Sequence, residues 1–336
     1  MIELSVKADR SVGSRAVQPL AGLLVVDLTR HLPGPFAGRE LLRLGARVVR
    51  LEPPEGDPLR AIAPQWDAAI NAGKESVVCD LKAEPELGRA LCARADVVLE
   101  GFRPGVAARL GVGPEDVPER VVYCSLTGFG LDGRHALRAG HDLNYLGWAG
   151  ALADTSPALP PVQAADLGAG ALTAVAEILA ALLEREHTGL GARLVISMTH
   201  GSHRFVSHRL AGDPRPRLLT GGLACYRIYA TANGRWLTVA ALEAQFFERL
   251  CELLARPELA ALQFAEDQQA LGDELSAIFA TRPLAAWLEL FDAEDVAVGP
   301  VATLAEAADD LGTELALQPA PRLGEHTTEW RTELGF

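Results

Sequence analysis

The sequence predicts an α/β fold, in which a large domain with a mainly parallel sheet is followed by a smaller α+β domain. Three observations point there. Short continuous apolar runs alternate with segments of helical period through the first part of the chain, the pattern of strands buried between helices. A composition break at Asp213-Pro214-Arg215-Pro216-Arg217 then precedes a hairpin pattern. Finally, 336 residues suit about two domains of roughly 150 residues each.

Residues 1–18 read as a polar leader without the apolar core of a secretory signal. Leu23 to Leu28 is a buried parallel-type strand. Gly34 to Gly45 carries Phe36, Leu41, Leu42 and Leu44 on a helical period, and Arg47 to Leu51, ending at Glu52, completes a βαβ unit. Ser76 to Leu81 is a strand, Pro85 to Ala95 a helix, Asp96 to Glu100 a strand and Val121 to Leu126 another, closed by Thr127-Gly128-Phe129-Gly130. A long Ala- and Leu-rich helix is expected from Asp166, as N-cap, to about Glu186, with Gly189 and Gly191 ending it. Leu194 to Met198 is a further strand. Beyond the break, Tyr226 to Thr231 and Trp236 to Ala240 flank Asn233-Gly234 as a hairpin. Helices follow at Gln245–Ala255 and Pro283–Phe291.

Composition narrows the function. Apolar residues make up 49% and charged residues 22%, so the chain is globular. The net charge of −13, from 31 Lys plus Arg against 44 Asp plus Glu, argues against nucleic acid or an anionic membrane as partner. The five cysteines form no C-x-x-C pair and read as reduced thiols, mostly buried. The most apolar helical stretch, Leu172 to Leu183, reads as too short to span a bilayer. A cytoplasmic enzyme is expected.

Motif chemistry is selective here. Glu52 ends the second strand, where a ribose-binding acid would sit, but no G-x-G-x-x-G precedes it, so no nicotinamide cofactor is expected. His200, His203 and His208 lack a completing Cys or carboxylate pair, so no metal is expected either. Gly140-His141-Asp142-Leu143-Asn144-Tyr145 is the most informative segment. Taken singly, His141 could be a structural histidine, Asp166 a helix cap and Glu243 a solvated acid in the first turn of a helix.

From about Leu20 onward the chain resembles the family III CoA-transferases, and within them the α-methylacyl-CoA racemases. The resemblance rests on many ordered matches. They include Leu32-Pro33-Gly34-Pro35-Phe36, Leu51-Glu52-Pro53-Pro54-Glu55-Gly56-Asp57-Pro58, Asn71-Ala72-Gly73-Lys74, Ser125 to Gly130, Leu219-Thr220-Gly221-Gly222, Val298-Gly299-Pro300-Val301 and Ala320 to Thr327. It implies a Rossmann-like CoA-binding domain at 19–212 to which 303–336 returns, a small domain at 216–302, and an interlocked homodimer. In transferases of this family a single Asp forms acyl anhydrides, and Asp166 matches it. Racemases add a His in G-H-D-x-N-Y and a Glu after the small-domain hairpin, which His141 and Glu243 match.

The resemblance therefore implies acid–base catalysis by His141, Asp166 and Glu243 on an acyl-CoA. The enolate oxygen needs donors, and the free backbone N–H groups at the start of the Asp166 helix are expected to supply them. The resemblance implies no cofactor beyond the coenzyme A carried by the substrate. Asn71, Lys74, Phe102, Arg103, Arg109, Gly140, Asp142 and Tyr145 are the expected CoA-binding residues, and Gly168 and Gly170 would let a ligand approach the helix. A CoA-transferase and a catalytically silent CoA-ester binder are the rival readings. Two departures stand out. Pro53-Pro54 occupies a position that is often basic, leaving Arg50 or Arg60 as substitutes, and the chain is short between Asp310 and Pro321.

Overall fold

The computed structural model describes residues 17–312 and 320–336. Residues 1–16 of the leader and the core of the short stretch after Asp310 thus fall outside the described residues. Two compact units emerge: one runs to Ser207 and takes up the C-terminal segment, and the other is His208–Gly312.

The first unit is built on six strands: β1 (Leu24–Asp27), β2 (Arg47–Glu52), β3 (Glu75–Val78), β4 (Val97–Glu100), β5 (Val122–Thr127) and β6 (Arg193–Ser197). All pairings are parallel, in the order β3-β2-β1-β4-β5-β6. Every residue of β1, β4 and β5 is buried, which explains why these strands read as continuous apolar runs rather than alternating ones. One core lies on each side of the sheet: Val25, Val48, Leu99 and Cys124 face one layer, and Val26, Val49, Val98 and Tyr123 the other. The order reverses between β1 and β4, and a crevice opens at the carboxyl ends there.

Helix Pro33–Arg43 follows β1, and Pro33 and Pro35 in its first turn cost no intrahelical bond. The long central helix differs from expectation at its start. It begins as a π-helix at Ala164–Leu172, with Gln163 as N-cap, and continues as an α-helix through Thr173–Thr188 to a left-handed Gly189. Asp166 therefore lies inside the first turn rather than capping it. The continuous run Ala164–Thr188 has 25 residues, long and apolar enough to cross a bilayer, so length alone does not exclude it as the short Leu172–Leu183 reading implied. Its Ala165, Ala171, Ala174, Val175, Ile178, Ala181 and Leu182 instead fill the protein core.

The C-terminal segment covers the free edge of β3. Ser76 N–H donates to His326 Nδ1 at 3.2 Å, Val78 N–H donates to Thr327 Oγ1 at 3.0 Å, and the buried Trp330 donates to Glu75 at 2.6 Å.

In the second unit, β7 (Tyr226–Ala230), β8 (Trp236–Ala240) and β9 (Val298–Pro300) form an antiparallel sheet. Helices Ala244–Leu253, Gln268–Phe279 and Leu284–Phe291 belong to the same unit, and residues from all three join the sheet in one core that contains Leu237, Phe247, Phe279 and Trp287. The sequence reading starts the return to the large domain at 303. The structure keeps helix Leu304–Asp310 in the second unit, where Glu306 takes both arms of Arg235 at 3.0 and 2.8 Å. The Asp213–Arg217 break likewise lies inside this unit, which begins at His208.

Candidate active site

A cleft of about 740 Å³ occupies the crevice between β1 and β4. Its walls come from the loops after β1 (Leu28 to His31), β4 (Gly101 to Val106) and β5 (Leu126 to Gly130), together with Arg138 to His141, Tyr145 and Asp166. Parallel strands deliver these loops to one end of the sheet.

His141 is the extended N-cap of helix Asp142–Trp148. Its N–H donates to Asn144 Oδ1 at 3.1 Å, and its carbonyl accepts from Asn144 and Tyr145 at 2.8 and 3.2 Å. The backbone is fixed while the ring lines the cleft. Tyr145 anchors that helix: its hydroxyl donates to the Gly140 carbonyl and its ring stands edge-on to Phe129 at 5.3 Å. A Cβ at Gly128 would lie 2.4 Å from the Tyr145 ring, so only glycine lets the strand-end turn close on this helix.

Asp142 joins the two expected catalytic groups. Its Oδ1 accepts the N–H groups of Ala165 and Asp166 at 2.8 and 3.0 Å. The residue next to His141 thus caps the helix that carries Asp166, an anion at a helix N-terminus. This tether corrects two expectations. Asp142 Oδ1 is engaged by the fold, and the residue lines neither cleft. The N–H groups expected to receive an enolate oxygen are already occupied, with Leu167 N–H also bonded, to the Gln163 carbonyl at 2.9 Å. Positive potential in the cleft comes instead from the side chains of Arg30, Arg103 and Arg138.

Burial, and then the nearby Asp142 carboxylate, push the Asp166 carboxyl up to about 7. Because the unfolded value is about 3.8, the native state holds this proton more tightly between the two. The stability that Asp166 contributes is therefore complete below about pH 4 and is lost as pH rises through about 7. The Tm of Asp166→Asn minus that of wild type should climb across this window and level off above it. A flat difference would show that Asp166 does not titrate there.

Several expected ligand contacts lie elsewhere. Lys74 is 3% exposed, with its ammonium on Asp27 at 3.2 Å and on the Pro35 carbonyl at 2.8 Å, and burial pulls it down to about 8. Asn71 is wholly buried and donates to Asp67 at 2.9 Å. Both are internal, so neither offers a phosphate its hydrogen bonds. Lys74→Met should destabilise the fold by about 3–5 kcal/mol in urea titration, since it strands the buried Asp27 charge, and should leave CoA affinity unchanged. Weakened CoA binding at intact stability would return Lys74 to the ligand surface. Arg50, with Glu52, Asp57 and Asp67 all within 3.5 Å, is equally internal, and the partly buried Arg60 is held by Glu52 at 2.9 and 2.7 Å. Arg109 is exposed and lines neither cleft described here, whereas Phe102, Arg103, Gly140 and Tyr145 do line one.

Gly170 serves packing: a Cβ there would meet Met198 at 2.9 Å. Gly168 would meet Phe205 at 3.4 Å. His200 bonds Ser197 at 2.7 Å and His203 bonds the Ala149 carbonyl at 3.0 Å. Among the described residues no three His, Cys, Asp or Glu side chains are grouped to hold a metal ion. Glu243 lies in the second unit, exposed, as N-cap of helix Ala244–Leu253.

Sequence reasoning missed Arg30, His31, Lys82 and Arg138. A second cleft of about 250 Å³ shares Leu28, Arg30 and Phe102 with the first and adds Pro53, Pro54 and Lys82. The available signal was position, because Arg30, His31 and Lys82 follow the carboxyl ends of parallel strands.

Residues 20–316 match CoA-transferase family III. The chain is 33% identical to the human α-methylacyl-CoA racemase, with 94% of each chain covered. It is also 33% identical to the acetyl-CoA:oxalate CoA-transferase of Acetobacter aceti, over 87% of this chain and 82% of that one. Among solved structures, a CaiB/BaiF family protein from Brucella suis superposes with a TM-score of 0.79 at 29% identity, covering 95% of this chain and all of the other.

Proposed function

The chain belongs to CoA-transferase family III, and on that premise we propose that it is an acyl-CoA racemase, moving the α-proton of a 2-methylacyl-CoA-type thioester between faces through His141 and Asp166. The observation that carries this reading is a histidine and a carboxyl of pKa about 7 lining one cleft. A thioester α-proton is weakly acidic, so its removal needs a base on one face and its return an acid on the other. A group that titrates near neutrality serves in either role. The CoA portion lies along Phe102, Arg103, Gly140 and Tyr145, with Arg30 and Lys82 toward its anionic end, and coenzyme A enters only as part of the substrate.

The second reading is a CoA-transferase with Asp166 as nucleophile, favoured by the equal identity to the oxalate transferase. A panel of acyl-CoAs in deuterated water, without acid co-substrate, separates the two. Deuterium is expected at the α-carbon. CoA passing to an added free acid without exchange would replace the racemase reading, and binding with neither reaction would mark a silent member.

The reading extends to a homodimer in which the partner's Glu243 shares a proton with Asp166, since two close carboxylates do not both ionise readily. Co-expressed Asp166→Ala and Glu243→Ala chains, each inactive alone, should regain part of the activity, because one site of the heterodimer is intact. A verified heterodimer without rescue would end this model.

A further inference from the structure

A histidine that the racemase chemistry does not use stands beside His141. The ring of His31 lies 6.3 Å from that of His141, centroid to centroid, with the planes at 86°, and both line the cleft with Asp166. The His31 backbone sits at φ +67°, in the left-handed region that a residue with a Cβ enters at a cost. A buried charge holds it there. His31 N–H donates to Asp57 Oδ2 at 3.0 Å, and the Asp57 carboxylate, itself buried, also accepts from Leu59 N–H at 2.9 Å and faces Arg50 at 3.5 Å. Strain fixed in this way tends to occur where a side chain is needed.

Epimerisation in one direction leaves the enzyme in the wrong protonation state. The Cα–H bond breaks and its proton bonds to His141, while the Asp166 O–H bond breaks and its proton bonds to Cα on the opposite face. The product then leaves behind a His141 imidazolium and an Asp166 carboxylate. Another turnover in the same direction requires one proton to leave His141 and one to reach Asp166.

We propose that His31 is the relay through which His141 exchanges this proton with solvent, an inference that rests on the racemase reading. The ring separation suits one bridging water. Imidazole accepts a proton on one nitrogen and releases another from its second. An N–H bond of the His141 imidazolium breaks, one forms on His31, and the exposed His31 gives a proton to a base in the medium as Asp166 takes one from water. His31 acts through His141 and is a positioning residue, not a catalytic one.

His31→Asn and His31→Gly both suit a positive φ. For each, steady-state epimerisation and the single-turnover rate of α-proton loss are measured with an acyl-CoA that wild type turns over. The first turnover and kcat/KM should stay near wild type. Steady-state kcat should fall about tenfold, less than the hundredfold or more for a group acting on substrate itself, and added imidazole should restore it. An unchanged kcat in both variants, or a slowed first turnover that imidazole does not rescue, overturns the relay. Exchange by wild type with unaffected variants overturns the relay alone, whereas no exchange by wild type overturns the racemase reading and the relay together.

Discussion

Asp166→Asn is expected to lower α-proton exchange by about a hundredfold to ten-thousandfold, the range for removing a positioned acid–base group, and to abolish any acyl transfer to a free acid. The amide matches the carboxyl in size, and the two N–H bonds to Asp142 come from backbone atoms, so the helix start survives. What disappears is the proton that a carboxyl held near pKa 7 can gain or give at neutral pH. The same value separates the two chemistries. An anhydride-forming nucleophile must be ionised, so transfer should rise with pH through about 7 and then level. An acid that returns the proton must be protonated, so exchange in the direction that uses it so should fall over the same interval. Exchange surviving in a folded Asp166→Asn protein would remove Asp166 from the chemistry.

His141→Gln is expected to cut exchange by at least about a hundredfold while leaving any Asp166-dependent CoA transfer in place. The backbone bonds that seat this residue involve its own N–H and carbonyl, not the ring. Glutamine keeps a polar side chain at the N-cap and loses only the imidazole. Two-face proton transfer requires both groups, whereas anhydride chemistry requires only Asp166. Full exchange by His141→Gln, with transfer lost in Asp166→Asn, would establish the transferase reading.

The parallel strands, the central helix and the hairpin were legible because each leaves a local trace. Buried parallel strands show as unbroken apolar runs, Gly189 stops a helix and Asn233-Gly234 turns a hairpin. Strand β9 left no such trace: it spans three residues and exists through pairing with β8. Residue type led to the expectation of mostly buried cysteines, and all five are buried.

Charged groups were where local reading failed. Lys74 and Arg103 look alike in sequence, yet one is enclosed against Asp27 and the other lines the cleft. Nothing within a few residues of either distinguishes them, because the carboxylate that neutralises Lys74 is 47 positions away. Asp142 poses the same problem from the opposite side: its motif suggests a ligand contact, and its partners are the backbone of a helix 23 and 24 residues further on. The sequence by itself determined the fold class, since hydrophobic periodicity is a local property of the chain. Tertiary structure alone decided which charges serve the fold and which face the cleft, because a charge cannot be buried without a counter-charge or hydrogen bonds, and those come from residues remote in the sequence.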